Sequence, residues 1–505
     1  MSCRRVRWWI AVGAALLVCL LSPAGSGAVT GPTLPLGHAG RWITDASGRV
    51  VVMHGTNMVY KLAPYYPAAA GFGASDAAFL HAIGFNAVRL GVIFQAVEPR
   101  PGVFNAGYLN HIAGTVDALA RYGIVSILDF HQDQYNQKFQ GEGFPSWAVQ
   151  DGGLPNPQLG FPHNYEGNPA LQRAFENFWA DQPGPGGVGL QERYVAAWAR
   201  VARRFKDNTT VLGYEIMNEP FPGGDYTTCA EPAGCPASDG ELTSLERKVD
   251  RTIRRIDQRT LVMQEPYVTF NFGYPDHVGR LLDRHAVFAW HDYCLVGTAC
   301  SSNSTTMQNA AAYVARTGEG TFMTEYGAGT DGGALDQMVS LADRFMVPWT
   351  EWAYCTCSDP TGAPNEGMVL DPRRPKRGAN LVSSILRSLV EPYPQVVAGT
   401  PRSWAFNRST KSFRLAYSTT RASGRGRFRP GSITQIATPG LVYRRGYSVH
   451  VRGGAIVSRL GVGVLEVASC HRAKTVRVTV TPRGPSHGSC LIAHQARAWR
   501  AGFTG

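Results

Sequence analysis

Two glutamates close apolar runs in this sequence, and their neighbours are polar. Glu219 ends the stretch VLGYEIMNEP, residues 211–220, with Asn218 before it and Pro220 behind. Glu325 stands in TFMTEYG, residues 321–327, followed by Tyr326. Two carboxylates facing one cavity suit glycosidic bond cleavage, because one must protonate the leaving oxygen while the other attacks the anomeric carbon. The tasks need different surroundings. An acid/base group needs its pKa raised toward neutrality, whereas a nucleophile needs donors that keep it ionised. Arg89 is suited to supply that positive field to Glu325, Tyr293 a hydrogen bond, and Asn218 a grip on a sugar 2-hydroxyl. Glu215, within the run, and Glu265, in LVMQEP, compete for a catalytic part, with Glu265 the stronger competitor.

A fold must bring these residues together. Apolar runs end in polar groups at VVMHGTN, NAVRL, VSILDFHQD, VLGYEIMNEP, LVMQEP, VFAWHDYC, TFMTEYG and VPWTEWAY, with helix-like stretches such as LNHIAGTVDALARYG and ERYVAAWARVARRF between them. Strands interleaved with helices in this number predict an α/β fold, a (β/α)8 TIM barrel over residues 29–394, with its chemistry at the strand C-terminal ends. His54, Asn57, Arg89, His131, Asp133, Asn218, Glu219, Glu265, His291, Tyr293, Glu325 and Trp352 would lie there. A long connection rich in Gly, Pro and aromatics separates the third run from the fourth, as expected of a loop that shapes a binding site. From residue 395 to 505 the period changes. SFRLAYST, YSVHVRGGAIVSRL, GVLEVAS and TVRVTVTP alternate apolar and polar positions between turn clusters, which predicts an antiparallel β-sandwich.

Charge divides along the same line. Residues 395–505 hold 18 Lys and Arg against one acid, Glu466, a balance of +17, and the first 28 residues hold three arginines. With the whole chain at +12, residues 31–394 are left at −8. A solvated face explains the basic tail most simply, and peripheral contact with an anionic lipid or polymer surface is the sharper expectation. Nucleic acid is not expected as a partner. Residues 1–28 read as a secretory signal, with Arg4, Arg5 and Arg7, an apolar run from Trp8 to Leu21, and small residues ending at Ala28. Secretion into an oxidising compartment is therefore expected, and the cysteines agree. Beyond Cys3 and Cys19 they fall in couples, Cys229 with Cys235, Cys294 with Cys300, Cys355 with Cys357 and Cys470 with Cys490, and disulfides are expected of all but the third, whose members have open partners. No histidine stands at zinc-ligand spacing from these couples, so no metal or cofactor is expected.

As a set, NEP, TEYG, Arg89 in NAVRL, HDY at 291–293 and Trp352 resemble the pattern of retaining glycoside hydrolases of family five, over most of residues 40–390. Within that family the chain looks most like the endoglycoceramidases, through HGTNMVYKLAPY, DFHQDQYN, GFPSWAV, FENFW and the appended sandwich. The resemblance implies Glu219 as acid/base and Glu325 as nucleophile. It also implies a sugar pocket lined by Lys61, His131, Asp133, Trp179, Asn218, Tyr293 and Trp352, and a glycosphingolipid substrate cut between oligosaccharide and ceramide. Tyr60 before the lysine and the Gly/Pro-rich insert after Asp133 depart from that pattern. Three other readings stay open: a β-glucan endoglucanase, a β-glycosidase of glucosyl- or galactosyl-ceramide, and a non-catalytic carbohydrate- or surface-binding protein.

Overall fold

The computed structural model describes residues 31–294, 300–362, 366–461 and 463–490. The expected signal at 1–28 lies outside them. Eight parallel strands close into a barrel: β1 His54–Met58, β2 Ala87–Ile93, β3 Val125–His131, β4 Val211–Glu215, β5 Leu261–Gln264, β6 Ala286–Asp292, β7 Gly320–Tyr326 and β8 Trp349–Glu351. Every residue of these strands is buried, as expected where side chains fill the barrel on one face and outer helices cover the other. The helix Leu190–Phe205 shows why the sequence folds this way. Leu190, Tyr194, Ala197, Trp198, Val201 and Phe205 recur at helical spacing and are buried, while Arg203 and Arg204 in its last turn face outward and suit the negative end of its dipole.

The sandwich consists of two antiparallel sheets, with a core that includes Trp404, Phe413, Leu415, Tyr417, Val449, Val467 and Val478. One sheet pairs Thr400–Asn407, Ser412–Ser418, Thr475–Thr481 and Ser448–Arg452. The other draws on both ends of the chain. Gly37–Ala39, Trp42–Thr44 and Val50–Val51 run into Val396–Val397, Ile433–Ala437, Val464–Ser469 and Gly454–Ile456, with Val396 paired to Val51. The hairpin before β1 also seals the base of the barrel. Leu36 and Ile43 pack there with Ile127, Met263, Val287 and Phe322. The expected run YSVHVRGGAIVSRL is two strands, broken at Gly453, whose φ of +77° and whose closeness to the Thr475 carbonyl exclude a side chain.

All four cysteine couples are bonded, Cys355 with Cys357 included, their Cα atoms 5.2 Å apart. Among the described residues no helix is long and apolar enough to cross a membrane.

Candidate active site

Arg89 organises the barrel mouth. It projects from β2 and is fully buried, with donors running to groups on four other strands or the loops after them. Nε donates to Glu215 at 2.7 Å, Nη2 to Asn218 at 2.9 Å and Nη1 to Asn57 at 3.1 Å, while Nη2 also lies 3.1 Å from Asp129. Nη1 completes the fork by donating to Glu325 Oε1. Burial alone would push the guanidinium toward losing its proton. Asp129, Glu215 and Glu325 outweigh that and hold it cationic.

Glu325 reaches Arg89 through a local irregularity. In β7 the register against β6 slips between Met323 and Glu325, so that Thr324 has no partner in the ladder. Thr324 Oγ1 donates inward to Glu215 at 2.8 Å, and the next side chain, Glu325, also points inward. Strict alternation would have sent one of the two outward. Tyr293, just past β6, donates its hydroxyl to Glu325 Oε2 at 2.8 Å. Both oxygens of Glu325 therefore accept, one of them from a full positive charge.

Glu219 is dressed differently. It lies past the end of β4 with φ at +43°, a conformation that costs a non-glycine residue and is typically kept where the chain must aim a side chain. Its Oε1 accepts from Asn271 at 2.7 Å and lies 2.9 Å from His291 Nδ1. No cation touches it, and its Oε2 has no hydrogen-bond partner among the described residues. Burial first, then the field of Asp133, raises its pKa to about 7. His291, on β6, is lowered by burial to about 4 and is neutral at that pH. An oxygen of Glu219 and an oxygen of Glu325 lie within 4.8 Å of one another. That bound fits the roughly 5–5.5 Å carboxyl spacing at which a carboxylate attacks carbon directly better than the roughly 6.5–9.5 Å that leaves room for a water.

A second polar group lies beside the pair. Lys61 Nζ donates to Asp133 at 2.6 Å and Thr361 at 2.7 Å, lies 2.8 Å from Asp359, and sits 4.4 Å from the centre of the Trp352 ring. His131 stacks on the same indole at 5.4 Å, with Nδ1 2.7 Å from Asp129. Burial disfavours the imidazolium, yet Asp129 and Asp133 raise its pKa to about 10. Glu142 enters the group from the loop after β3. Glycines flank it because a Cβ at 141 would lie 1.9 Å from the Asp133 carbonyl oxygen, and one at 143 would lie 2.3 Å from Gln132. Both Glu142 oxygens are buried without a hydrogen-bond partner among the described residues, and burial with Asp133 pushes its pKa well up, toward the neutral acid.

Ten of the eleven predicted site residues thus fall in one connected network. Trp179 reaches it only through the backbone, since its indole donates to the Phe221 carbonyl at 2.8 Å and its ring packs against Phe178 and Tyr267. The rival glutamates have supporting places. Glu215 anchors Arg89, and Glu265 lies behind the site, accepting from the Glu219 backbone at 3.1 Å and 3.4 Å from His291 Nε2. Asp129, Glu142, Asn271, Asp359 and Thr361 were not anticipated. The spacing of Asp129 to His131 in DFH and the GEG triplet were available signals, whereas nothing in YVTFNFG distinguishes Asn271. Carboxylate–imidazole groupings of metal-ligand geometry occur at Glu219/His291/Glu325 and His131/Asp133/Glu142, where Arg89 and Lys61 already supply positive charge.

The profile of glycosyl hydrolase family 5 cellulases matches residues 44–358, and that of the family 5 C-terminal domain matches residues 392–481. The chain belongs to glycosyl hydrolase family 5. This family 5 glycosidase is 32% identical to endoglycoceramidase I of Rhodococcus hoagii over 461 residues, 87% of the chain and 86% of the relative. It is 27% identical to an endoglycoceramidase of Hydra vulgaris, over 81% of each chain. Among solved structures, endo-glycoceramidase II from Rhodococcus sp. in complex with ganglioside GM3 superposes with a TM-score of 0.72 at 27% identity, covering 88% of this glycosidase and 99% of that chain. The same enzyme as a lactosyl-enzyme intermediate gives 0.71 at 28%, covering 87% and 99%.

Proposed function

We propose that this glycosidase hydrolyses the β-glycosidic bond between oligosaccharide and ceramide in glycosphingolipids, with retention of configuration. The carrying observation is the unequal dressing of two carboxylates within 4.8 Å of each other: Glu325 is saturated by Arg89 and Tyr293, and Glu219 has one oxygen without a hydrogen-bond partner among the described residues and a pKa of about 7. Glu325 attacks the anomeric carbon as the bond to the ceramide oxygen breaks, and Glu219 Oε2 gives its proton to that oxygen. Glu219, now a carboxylate, takes a proton from water, whose oxygen displaces Glu325 from the sugar and restores both groups. Asn218, its amide oxygen held by Arg89, faces the sugar 2-hydroxyl. Lys61, His131, Asp133 and Trp352 line the sugar pocket, and Trp179 borders it. The relatives' near full-length match supports the substrate class over a β-glucan. Incubation with gangliosides, neutral glycosphingolipids and β-glucans, with released glycans identified by mass spectrometry, tests it. Release from β-glucans alone would overturn the reading.

Export is part of the same proposal, supported by the leader at 1–28 and the four disulfides. So is contact with the lipid surface that holds the substrate. The outer face of the four-stranded sheet exposes Arg414, Arg477 and Arg452, with Arg477 directly opposite Arg452. Those four strands contain no acid. Like charges paired across strands repel unless an anion answers them. Each well-placed arginine contributes about 1 kcal/mol near an anionic bilayer, an attraction that salt screens. Hydrolysis of glycolipid in anionic vesicles should therefore fall with added salt while hydrolysis of a soluble aryl glycoside holds. Equal responses would refute the lipid contact.

A further inference from the structure

The loops after β1, β2 and β3 enclose a cleft of about 470 Å³ that none of the groups above occupies. Tyr65 and Trp147 contribute half-buried rings, Gln95 and Ser146 polar groups, and Arg100 an exposed cation. We propose that this cleft is a binding site for the outer sugars of the oligosaccharide headgroup, with Trp147 and Tyr65 as stacking surfaces and Arg100 as the partner of an acidic sugar's carboxylate. The proposal rests on the glycosphingolipid reading and deepens it.

Direction is the first argument. Glu219 protonates the leaving oxygen, so the ceramide departs on the side of Glu219 and Asn271, the loops after β4 and β5. The sugars then run the other way, past Lys61 and Asp133, toward the loops after β1 and β3. Those loops also build the cleft: Tyr65 is four residues beyond Lys61, and the Gln95 backbone donates to the carbonyl of Gly143, next to Glu142, at 2.8 Å.

Chemistry is the second. Sugars offer C–H faces and hydroxyls in alternation, which suits aromatic rings set among amide and hydroxyl groups better than a purely apolar wall does. The Trp147 indole N–H is tied to the Glu98 carbonyl at 3.1 Å, and Phe94 meets its ring edge-to-face, which fixes the plane of the ring. Tyr65 is held at φ of +65°, unusual for an aromatic residue, with its hydroxyl accepting from Gln137 at 2.8 Å. Gln95 carries a buried Oε1 without a hydrogen-bond partner among the described residues. Arg100 has no ion pair among the described residues.

The test compares kcat/KM on ceramides carrying two sugars, five neutral sugars, or five sugars with a terminal sialic acid. Trp147→Ala should lower kcat/KM about tenfold on both long headgroups and leave the two-sugar substrate unchanged. Arg100→Gln, at an exposed position that leaves the fold intact, should lower it about fivefold on the acidic headgroup alone. Equal losses on short and long headgroups, or none on any, would overturn the assignment, as would a loss that tracks ceramide chain length. Calorimetric titration of the free pentasaccharides into the intact chain separates the two proposals. Absence of turnover on every ceramide would sink the reaction, whereas failure of the free sugars to bind, or binding that both variants leave unchanged, would sink the cleft.

Discussion

Two clusters of buried carboxylates lie at opposite ends of the barrel, and they share more chemistry than function. At the mouth, Glu219 has a pKa of about 7 because burial penalises its charge. At the base, Asp343 has a pKa of about 7 for the same first reason. Each has a second carboxylate and a histidine close by, Glu325 and His291 in one case, Glu391 and His54 in the other. The difference lies in what answers them. At the base the donors come from the sandwich. Trp404 donates to Asp343 at 2.5 Å and Arg408 to Glu391 at 2.9 Å, while His54, kept neutral by burial and by Arg408, is stacked between Trp349 and Tyr393. That cluster joins two parts of the fold. At the mouth the donors come from the barrel itself and converge on Glu325, leaving an oxygen of Glu219 without a partner among the described residues. A raised pKa thus marks burial in both places, and only the asymmetry between partners marks a site for catalysis.

The comparison breaks most directly at Glu325. Glu325→Ala should lower kcat by at least about 10⁴-fold with the melting temperature little changed, whereas Asp343→Asn should move kcat less than about twofold. Similar kinetic losses in both would erase the distinction between the ends. Arg89→Lys should cost about 10²–10³-fold in kcat, since an ammonium cannot reproduce the fork that holds Glu325, Asn218 and Glu215 together. Activity near that of the parent would show that charge alone suffices.

Protonation sharpens the picture further. In the proposed cycle Glu219 begins protonated, so its acid form is present below pH 7 and lost as pH rises through about 7. Activity on ceramide glycosides should fall about tenfold per pH unit beyond that point. A glycosyl fluoride, whose leaving group needs no proton, should lose this alkaline limb in single-turnover glycosylation. An unchanged limb would assign the titration elsewhere. The smallest expected effect is at the base: Trp404→Phe should cost about 1–3 kcal/mol of stability in denaturant unfolding by leaving a buried Asp343 oxygen unpaired, with kcat/KM unaffected.

Much of the mouth was legible because strand periodicity and barrel geometry are local rules. A run that ends in polar residues predicts where those residues go, and this placed Arg89, Asn218, Glu219, His291 and Trp352, but it misplaced His54, which opens β1 at the base because the strand begins there rather than ends. The rest depends on chain segments far apart in sequence. Glu325 turns inward only because β7 slips against β6, a shift that alternation within TFMTEYG cannot reveal. Asn271 meets Glu219 across 52 residues of separation, and Asp359 meets Lys61 from the loop after β8, nearly 300 residues on in the chain. The strands before residue 52 are two or three residues long, too short to carry a period, and they exist because Val51 finds Val396. Residue types and local spacing determined which groups were available for chemistry. The closing of eight strands into one ring decided which of them touch, because hydrogen bonds and ion pairs depend on distances that only the folded chain sets.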